Sequence, residues 1–409
     1  MVTRASKVTL TVNPVAPWPH FERDEIEAAV RVLESGNVNY WTGEEGREFE
    51  KEFAGSVNCK YAVAVANGTV ALELALRTLD VGPGDEVITT PRTFIASASC
   101  AVMVGARPIM AEIDRVSQNI TAATIERVIT PRTKAIIAVH LAGWPCEMDA
   151  IMELARSRGV YVIEDCAQAH GATYKDRPVG SLGDIAAFSF CQDKIMSTAG
   201  EGGMVTVNSA DLYERAWGFK DHGKSFDAVY RRQHPPGFSW LYESFGTNWR
   251  MTEIQSAIGR VQLQKLPGWV KTRRAHAQRF NSALADVPAV RLTIPPAYIG
   301  HSYYKYYAFL EPSRQRDGWN RDRVVDEINA RGVPCQVGGC SEIYLEKAFS
   351  PALRPAERLP LAKELGETSI MLQVHPTLSA GQIDFAAEVV RDVALEASAH
   401  GRRRDHFKR

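Results

Sequence analysis

Residues 184–208 read DIAAFSFCQDKIMSTAGEGGMVTVN. The apolar runs DIAAFS and VTVN at the two ends have the character of buried strands. Between them sit one lysine, Lys194, and an acid set among glycines, GEGG. Lysines are ordinarily solvated, so a long cationic side chain in a turn between two buried strands calls for a reason. One reading is a plain surface loop. The other is an amine that is needed inside.

The same grammar extends in both directions. From Phe21 to Asn208 helical and strand patterns alternate: RDEIEAAVRVLESG and GREFEKEFAGSV as helices, YAVAVANGT as a strand running into glycine, and TVALELALRTLDV as a helix opened by Thr69. DEVITTP, RPIMAEID, TKAIIAVHL and VYVIEDC follow as strands, with helices between them. This order predicts an α/β fold, a mostly parallel sheet with helices on both faces. The uninterrupted apolar strands fit a sheet covered on both sides. Residues 213–252 are aromatic, glycine-rich and without clear period, which predicts a long functional or interface loop. MTEIQSAIGRVQLQKL and WVKTRRAHAQRFNSALAD then read as two helices, and after Pro288 a smaller α/β unit follows. The expected division is an N-terminal segment plus large domain over residues 1–265 and a small C-terminal domain over 266–409, ending in the basic tail GRRRDHFKR.

Composition narrows the function. A chain of 409 residues exceeds one hydrophobic core, which favours two domains. Its 48 basic and 48 acidic residues cancel, so no global electrostatic case exists for nucleic acid or a membrane surface. No apolar run reaches the length of a membrane helix. Seven scattered cysteines predict reduced thiols and a cytoplasmic location, and no second Cys/His pair completes a zinc set, so no metal is expected. The phosphate-binding loop of NTPases, a G-x-G-x-x-G turn after a first strand, the G-x-S-x-G elbow and H-E-x-x-H are absent.

What remains lies at strand ends, where open α/β sheets bind ligands. ANGT, Ala66–Thr69, reads either as an anion seat at a helix N-terminus or as a tight turn capped by Thr69. Glu164 and Asp165 end an apolar strand, where a carboxylate is costly unless paired; a turn-capping role is the alternative. Ser189 precedes Lys194, and Phe94 follows another strand, either in the core or as a face for a flat ligand. Together they fit pyridoxal 5′-phosphate, which needs a phosphate cup, an acid at the ring nitrogen, a lysine for its Schiff base and a stacking face.

The stretches GTVALELAL, VGPGDEVITTPRTFIASA, EDCAQAHGATYKDRPVGSLGDIAAFSF, KIMSTAGEGGM and NWRMTEIQSAIG resemble the DegT/DnrJ/EryC1/StrS sugar aminotransferases. The resemblance implies the fold of aspartate aminotransferase (fold type I), with a large cofactor domain and a small C-terminal one. It implies that Lys194 forms the Schiff base and that Asp165 faces the pyridine nitrogen. Gln168 would lie near the phenolic oxygen, Gly68, Thr69 and Ser189 would contact the phosphate, and Phe94 would stack on the ring. Asn248 would reach the phosphate of a partner subunit, so a homodimer with shared sites is expected. The implied reaction moves an amino group from an amino acid, glutamate first, to a nucleotide-linked ketosugar. Tyr40, Trp41, His301 and Tyr303 are candidate substrate contacts. A ketocyclitol acceptor is an alternative, because Gln192 precedes the lysine by two positions as in the cyclitol branch. A non-catalytic regulator that senses a sugar or the cofactor is the alternative from another class.

Overall fold

The structure, a computed structural model, describes residues 17–233 and 239–399. The basic tail lies outside the described residues.

In chain order the first half comprises α1 (Arg23–Ser35), α2 (Glu45–Ser56), β1 (Tyr61–Val65), α3 (Gly68–Thr78), β2 (Glu86–Thr89), α4 (Ala96–Met103) and β3 (Arg107–Met110). It continues with α5 (Ala122–Glu126), β4 (Thr133–Val139), α6 (Met148–Arg158), β5 (Tyr161–Asp165), β6 (Thr173–Tyr174), β7 (Arg177–Pro178), β8 (Ile185–Ser189) and β9 (Gly203–Val207). Seven of these strands form one sheet in the order β1-β9-β8-β5-β4-β2-β3. β2, β3, β4, β5 and β8 pair in parallel, and β9 alone runs against its neighbours β8 and β1. The sheet is therefore mostly parallel, as the alternation predicts. The carboxyl ends of β1, β2, β4, β5 and β8 share one edge, and β9 begins there.

Both faces of the sheet are dry. Along β4, Ala135, Ile137 and Val139 pack with α3, α4 and α7 residues such as Leu72, Leu76 and Trp217, while Ile136 and Ala138 pack with Phe49, Phe53 and Ile151 on the other side. With no polar face to keep wet, the strands read as unbroken apolar runs.

Two helices follow in the stretch expected to be a loop, α7 (Ala210–Lys220) and α8 (Phe226–Tyr230). Aromatic contacts such as Trp217 with Phe226, at 5.1 Å between ring centroids, order this region. Rings on several sides of α7 hide its helical period from the sequence. A second correction concerns α9 (Glu253–Leu284), one helix of 32 residues where two were expected. Pro267 lies inside it. An internal proline costs about 3 kcal/mol, and burial of an apolar side chain returns about 1.5–3 kcal/mol. Leu266 and Val270 pack into the large core and Phe280 and Leu284 into the small one, so packing outweighs the break. The expected domain division at 265/266 falls within this helix.

The remaining elements are β10 (Val290–Leu292), β11 (Ile299–Gly300), β12 (Tyr306–Leu310), α10 (Arg321–Ala330), β13 (Cys335–Gln336), α11 (Pro360–Thr368), β14 (Ser369–Leu372) and α12 (Ala380–Ala397). β10-β12-β14-β13 form an antiparallel sheet packed on α10, α12 and the end of α9. β11 joins the β6–β7 hairpin in a third, three-stranded sheet.

One buried carboxylate ties the large domain together. Glu164, fully buried in β5, accepts from the backbone N–H groups of Gly180 (2.9 Å), Leu182 (2.7 Å) and Gly183 (2.8 Å). His140 Nδ1 accepts from Cys146 N–H at 3.0 Å, so its Nε2 carries the proton and donates to Glu164 Oε2 at 3.0 Å. Glu164→Ala strands all four donors, and a broken buried network of this kind costs about 3–5 kcal/mol. We expect a large fall in the urea midpoint of this variant, followed by circular dichroism; an unchanged midpoint would contradict the role.

Candidate active site

β8 and β9 are adjacent and antiparallel, with Lys194 in their connection, residues 190–202. The connection is clamped rather than free. Phe190 N–H donates to Gly202 O (2.8 Å), Ser197 N–H to Gln262 Oε1 of α9 (2.7 Å), and the Trp18 indole N–H to Lys194 O (2.8 Å). Phe190, Ile195 and Met196 are fully buried. Lys194 keeps only 15% of its side chain exposed, with Nζ 3.6 Å from Asp193 and 4.9 Å from the centre of the Tyr304 ring. This is no solvated loop lysine.

Asp165 ends β5 one strand away and is 4% exposed. Ser97 Oγ donates to its Oδ2 at 2.7 Å and Ala167 N–H to its Oδ1 at 3.1 Å. Among the described residues no cation lies within ion-pair distance of it. Burial pushes its pKa up, against the Ser97 and Ala167 hydrogen bonds and the charge of Lys194. The neighbouring Glu164 points to the other face of the sheet, so the two acids have separate tasks.

The strand ends also form a cradle. Val65, Gly203 and Ser189 share one row across β1, β9 and β8. A Cβ on Gly68 would stand 2.5 Å from Ser189 Cβ, and one on Gly203 would stand 2.4 Å from Asn67 O. Only glycine lets these segments close up. α3 opens here at Gly68, and its cap is Asn67, whose Oδ1 accepts from Val70 N–H at 3.0 Å. This corrects the expectation that Thr69 caps the helix: Thr69 lies within the first turn, exposed, and leaves its hydroxyl to the cradle. Phe94 is 68% exposed just past β2. A large aromatic left bare at a ligand edge offers a face for a flat ring. Cradle, bare ring, unpaired buried carboxylate and nearly covered amine therefore fit pyridoxal phosphate.

Gln168 Oε1 accepts from Ala142 N–H at 2.8 Å, which fixes the amide orientation and leaves its NH₂ as a donor. The Ala142–Gly143 turn in turn accepts from Tyr304 N–H (2.8 Å) and Ser302 N–H (3.0 Å). His301 and Tyr303 flank this junction with rings stacked at 3.8 Å, and His301 Nδ1 accepts from Tyr303 N–H at 2.8 Å. Asn248 is exposed, and the adjoining Trp249 O accepts from Ala66 N–H at 2.9 Å, which puts Asn248 beside the end of β1. Tyr40 is a correction. It is 2% exposed, its hydroxyl donates to Glu50 (3.0 Å), and Lys220 Nζ lies 4.0 Å from its ring centre. Packing claims it, and no face is left for substrate. Trp41 is half-buried, with its indole N–H on Asp221 Oδ2 at 2.7 Å.

Several neighbours of Lys194 escaped the sequence reading. The Tyr304 hydroxyl donates to Asp193, and the Lys305 amine lies 4.8 Å from the Tyr304 ring centre and donates to Gln373 Oε1 at 3.1 Å. Burial, helped by Arg273 and Lys194, pushes Lys305 down to about 8. Burial would raise Asp193, but Lys194, Tyr304 and Lys305 outweigh it and hold the carboxyl below its ordinary value. Tyr304 and Lys305 read only as part of the smaller α/β unit after Pro288, and Trp18, Ser97 and Gln262 carry no local signal at all.

The raised pKa of Asp165 fixes the sign of a pH effect. A folded-state value above the unfolded one disfavours the ionised form in the fold, so the penalty is absent below about pH 4 and grows as pH rises through the folded value. In the protein without cofactor, Asp165→Asn should therefore raise the urea midpoint at neutral pH, with the gain vanishing near pH 3.5. A gain that is constant with pH, or a loss, would contradict this.

Comparison with known proteins agrees with the geometry. The sequence profile of the DegT/DnrJ/EryC1/StrS aminotransferase family matches residues 19–391. The spore coat polysaccharide biosynthesis protein SpsC of Bacillus subtilis is 36% identical over 93% of this chain and 96% of its own. The dTDP-3-amino-3,4,6-trideoxy-alpha-D-glucose transaminase of Streptomyces venezuelae is 34% identical over 91% of this chain and 93% of its own. Among solved structures, an aminotransferase from Psychrobacter cryohalolentis superposes with a TM-score of 0.92 at 52% identity, covering 94% of this chain and 100% of that one. The chain belongs to the DegT/DnrJ/EryC1/StrS aminotransferase family, whose enzymes depend on pyridoxal phosphate.

Proposed function

We propose that this aminotransferase moves an amino group from an amino acid, glutamate first, to the ketone of a nucleotide-linked sugar, with pyridoxal phosphate bound to Lys194. The observation that carries the reading is the nearly covered Lys194 amine on the sheet edge that also holds Asp165 and the Gly68–Ser189 cradle. Its relatives support the acceptor class: they include the dTDP-sugar transaminase above and a GDP-perosamine synthase of Escherichia coli O157:H7, 36% identical over 86% of this chain and 92% of its own.

Bound there, pyridoxal phosphate supplies the electron sink that lets an amino group pass between two carbonyl carbons. The residues do the rest. The N–H groups of Gly68 and Thr69 at the start of α3, with the hydroxyls of Thr69 and Ser189, hold the phosphate. Phe94 covers one ring face. Asp165 would face the ring N–H, the cation its buried carboxylate lacks among the described residues. Gln168 donates its NH₂ to the phenolic oxygen. Lys194 Nζ carries the proton to and from the carbon that loses or gains nitrogen. Asn248 reaches the phosphate held by a second copy, which makes the working enzyme a homodimer.

The attachment has a direct test. After borohydride treatment and digestion, the mass of the reduced cofactor should appear on the peptide that contains Lys194, and Lys194→Ala should retain no covalent cofactor. Label on another lysine would overturn the assignment. Incubation with glutamate or glutamine and a panel of nucleotide ketosugars, with scyllo-inosose as the ketocyclitol arm, tests the acceptor. Turnover of scyllo-inosose alone would replace the sugar reading.

A further inference from the structure

Beneath α9, on the side of the sheet that carries Phe53 and Phe188, lies a cavity of about 400 Å³. Small-molecule sites span about 300–1,000 Å³, so the space suits a compact ligand. None of Gly68, Phe94, Asp165, Ser189 and Lys194 lines it. Its walls are apolar, with Val57, Val179, Leu266 and Val270 among them.

Beside the hydroxyls of Ser56 and Thr173, two features break that apolar lining. His170 is 1% exposed and lines the cavity, and neither of its ring nitrogens makes a well-aligned hydrogen bond among the described residues. Its ring packs 5.6 Å from Phe188 and 5.7 Å from Phe190, between centroids. A buried polar group left unsatisfied costs about 1–3 kcal/mol, and such groups in folded proteins are rare. Burial and the charge of Lys194 push His170 down to about 3 against the opposing pull of the Ser189 backbone, so the imidazole is neutral and carries one donor and one acceptor. The second feature is charge. Lys271 and Arg274 line the cavity, while no Asp or Glu does. Among the described residues neither Lys271 nor Arg274, both exposed, forms an ion pair, and the Arg274 Nε donates to the carbonyl of His301 at 2.8 Å.

We propose that this cavity binds an amphipathic monoanion, an apolar body that fills the space beside His170 and one carboxylate or sulfonate that meets Lys271 and Arg274. A cation is repelled by the pair. A bare inorganic anion gains nothing from the apolar walls, whose burial supplies about 25 cal/mol per Å² of ligand surface. The class includes medium-chain carboxylates and aryl sulfonates. The donor and acceptor of His170 receive whatever polar group the body carries at its inner end.

The test is a fluorescence titration of the full-length cofactor-loaded enzyme with anilinonaphthalene sulfonate. One saturable site per chain is expected. Octanoate should displace the probe and octylamine should not. Octanoate should also raise the melting temperature, as a ligand of the folded state must. Leu263→Trp, which fills the cavity, should abolish binding. Lys271→Glu, an exposed change that leaves the core intact, should weaken it by about fivefold to tenfold. The proposal is overturned by absence of saturable binding, by equal competition from octylamine, by binding that survives Leu263→Trp, or by displacement with excess pyridoxal phosphate, which would place the probe at the cofactor site.

Discussion

Two adjacent carboxylates leave the end of β5 on opposite faces of the sheet, and most of the site depends on that alternation. Because strand side chains alternate, Glu164 is turned into the core and Asp165 toward the ligand edge. Glu164 is satisfied by three backbone N–H groups and His140, and it holds the segment that leads into β8. That segment sets the register of β8 and with it the positions of Ser189 and Lys194. Among the described residues Asp165 has two hydrogen bonds and no cation within ion-pair distance. One acid is satisfied within the fold; the other is left short of a partner.

The same imbalance surrounds Lys194. Arg273 is buried and Lys305 half-buried, and Asp193 is the carboxylate that meets Lys194 and Tyr304. Arg273 leaves Nε and one terminal nitrogen unsatisfied. A region with surplus positive charge and little water suits anionic substrates, and sugar nucleotides and amino acids both carry anionic groups. The stability forgone here is carried by the dry faces of the seven-stranded sheet.

The large domain was legible because its physics is local. Strands dry on both faces must be unbroken apolar runs, so an interruption such as Asp165 or Lys194 stands out. Gly68 and Gly203 were visible as glycines, although their reason, a close approach of three strand ends, is a matter of three dimensions. What stayed hidden is long-range. Trp18 acts on Lys194 across 176 positions, and no periodicity encodes that contact. Ser97 looks like any helical serine until Asp165 is placed opposite it. Pro267 reads as a stop by every local rule, and only packing on both sides of it keeps α9 whole. Tyr40 was misjudged for the converse reason: an aromatic in a loop looks available until its hydroxyl is found occupied.

α9 has a mechanical consequence. It is about 48 Å long, with its first half seated against α1, α2 and the large core and its second half in the small core. It works as a common axle for both domains. Any swing of the β10–β12–β14–β13 sheet relative to the large sheet must therefore bend this axle, and Pro267 marks the point on it where a backbone hydrogen bond is missing.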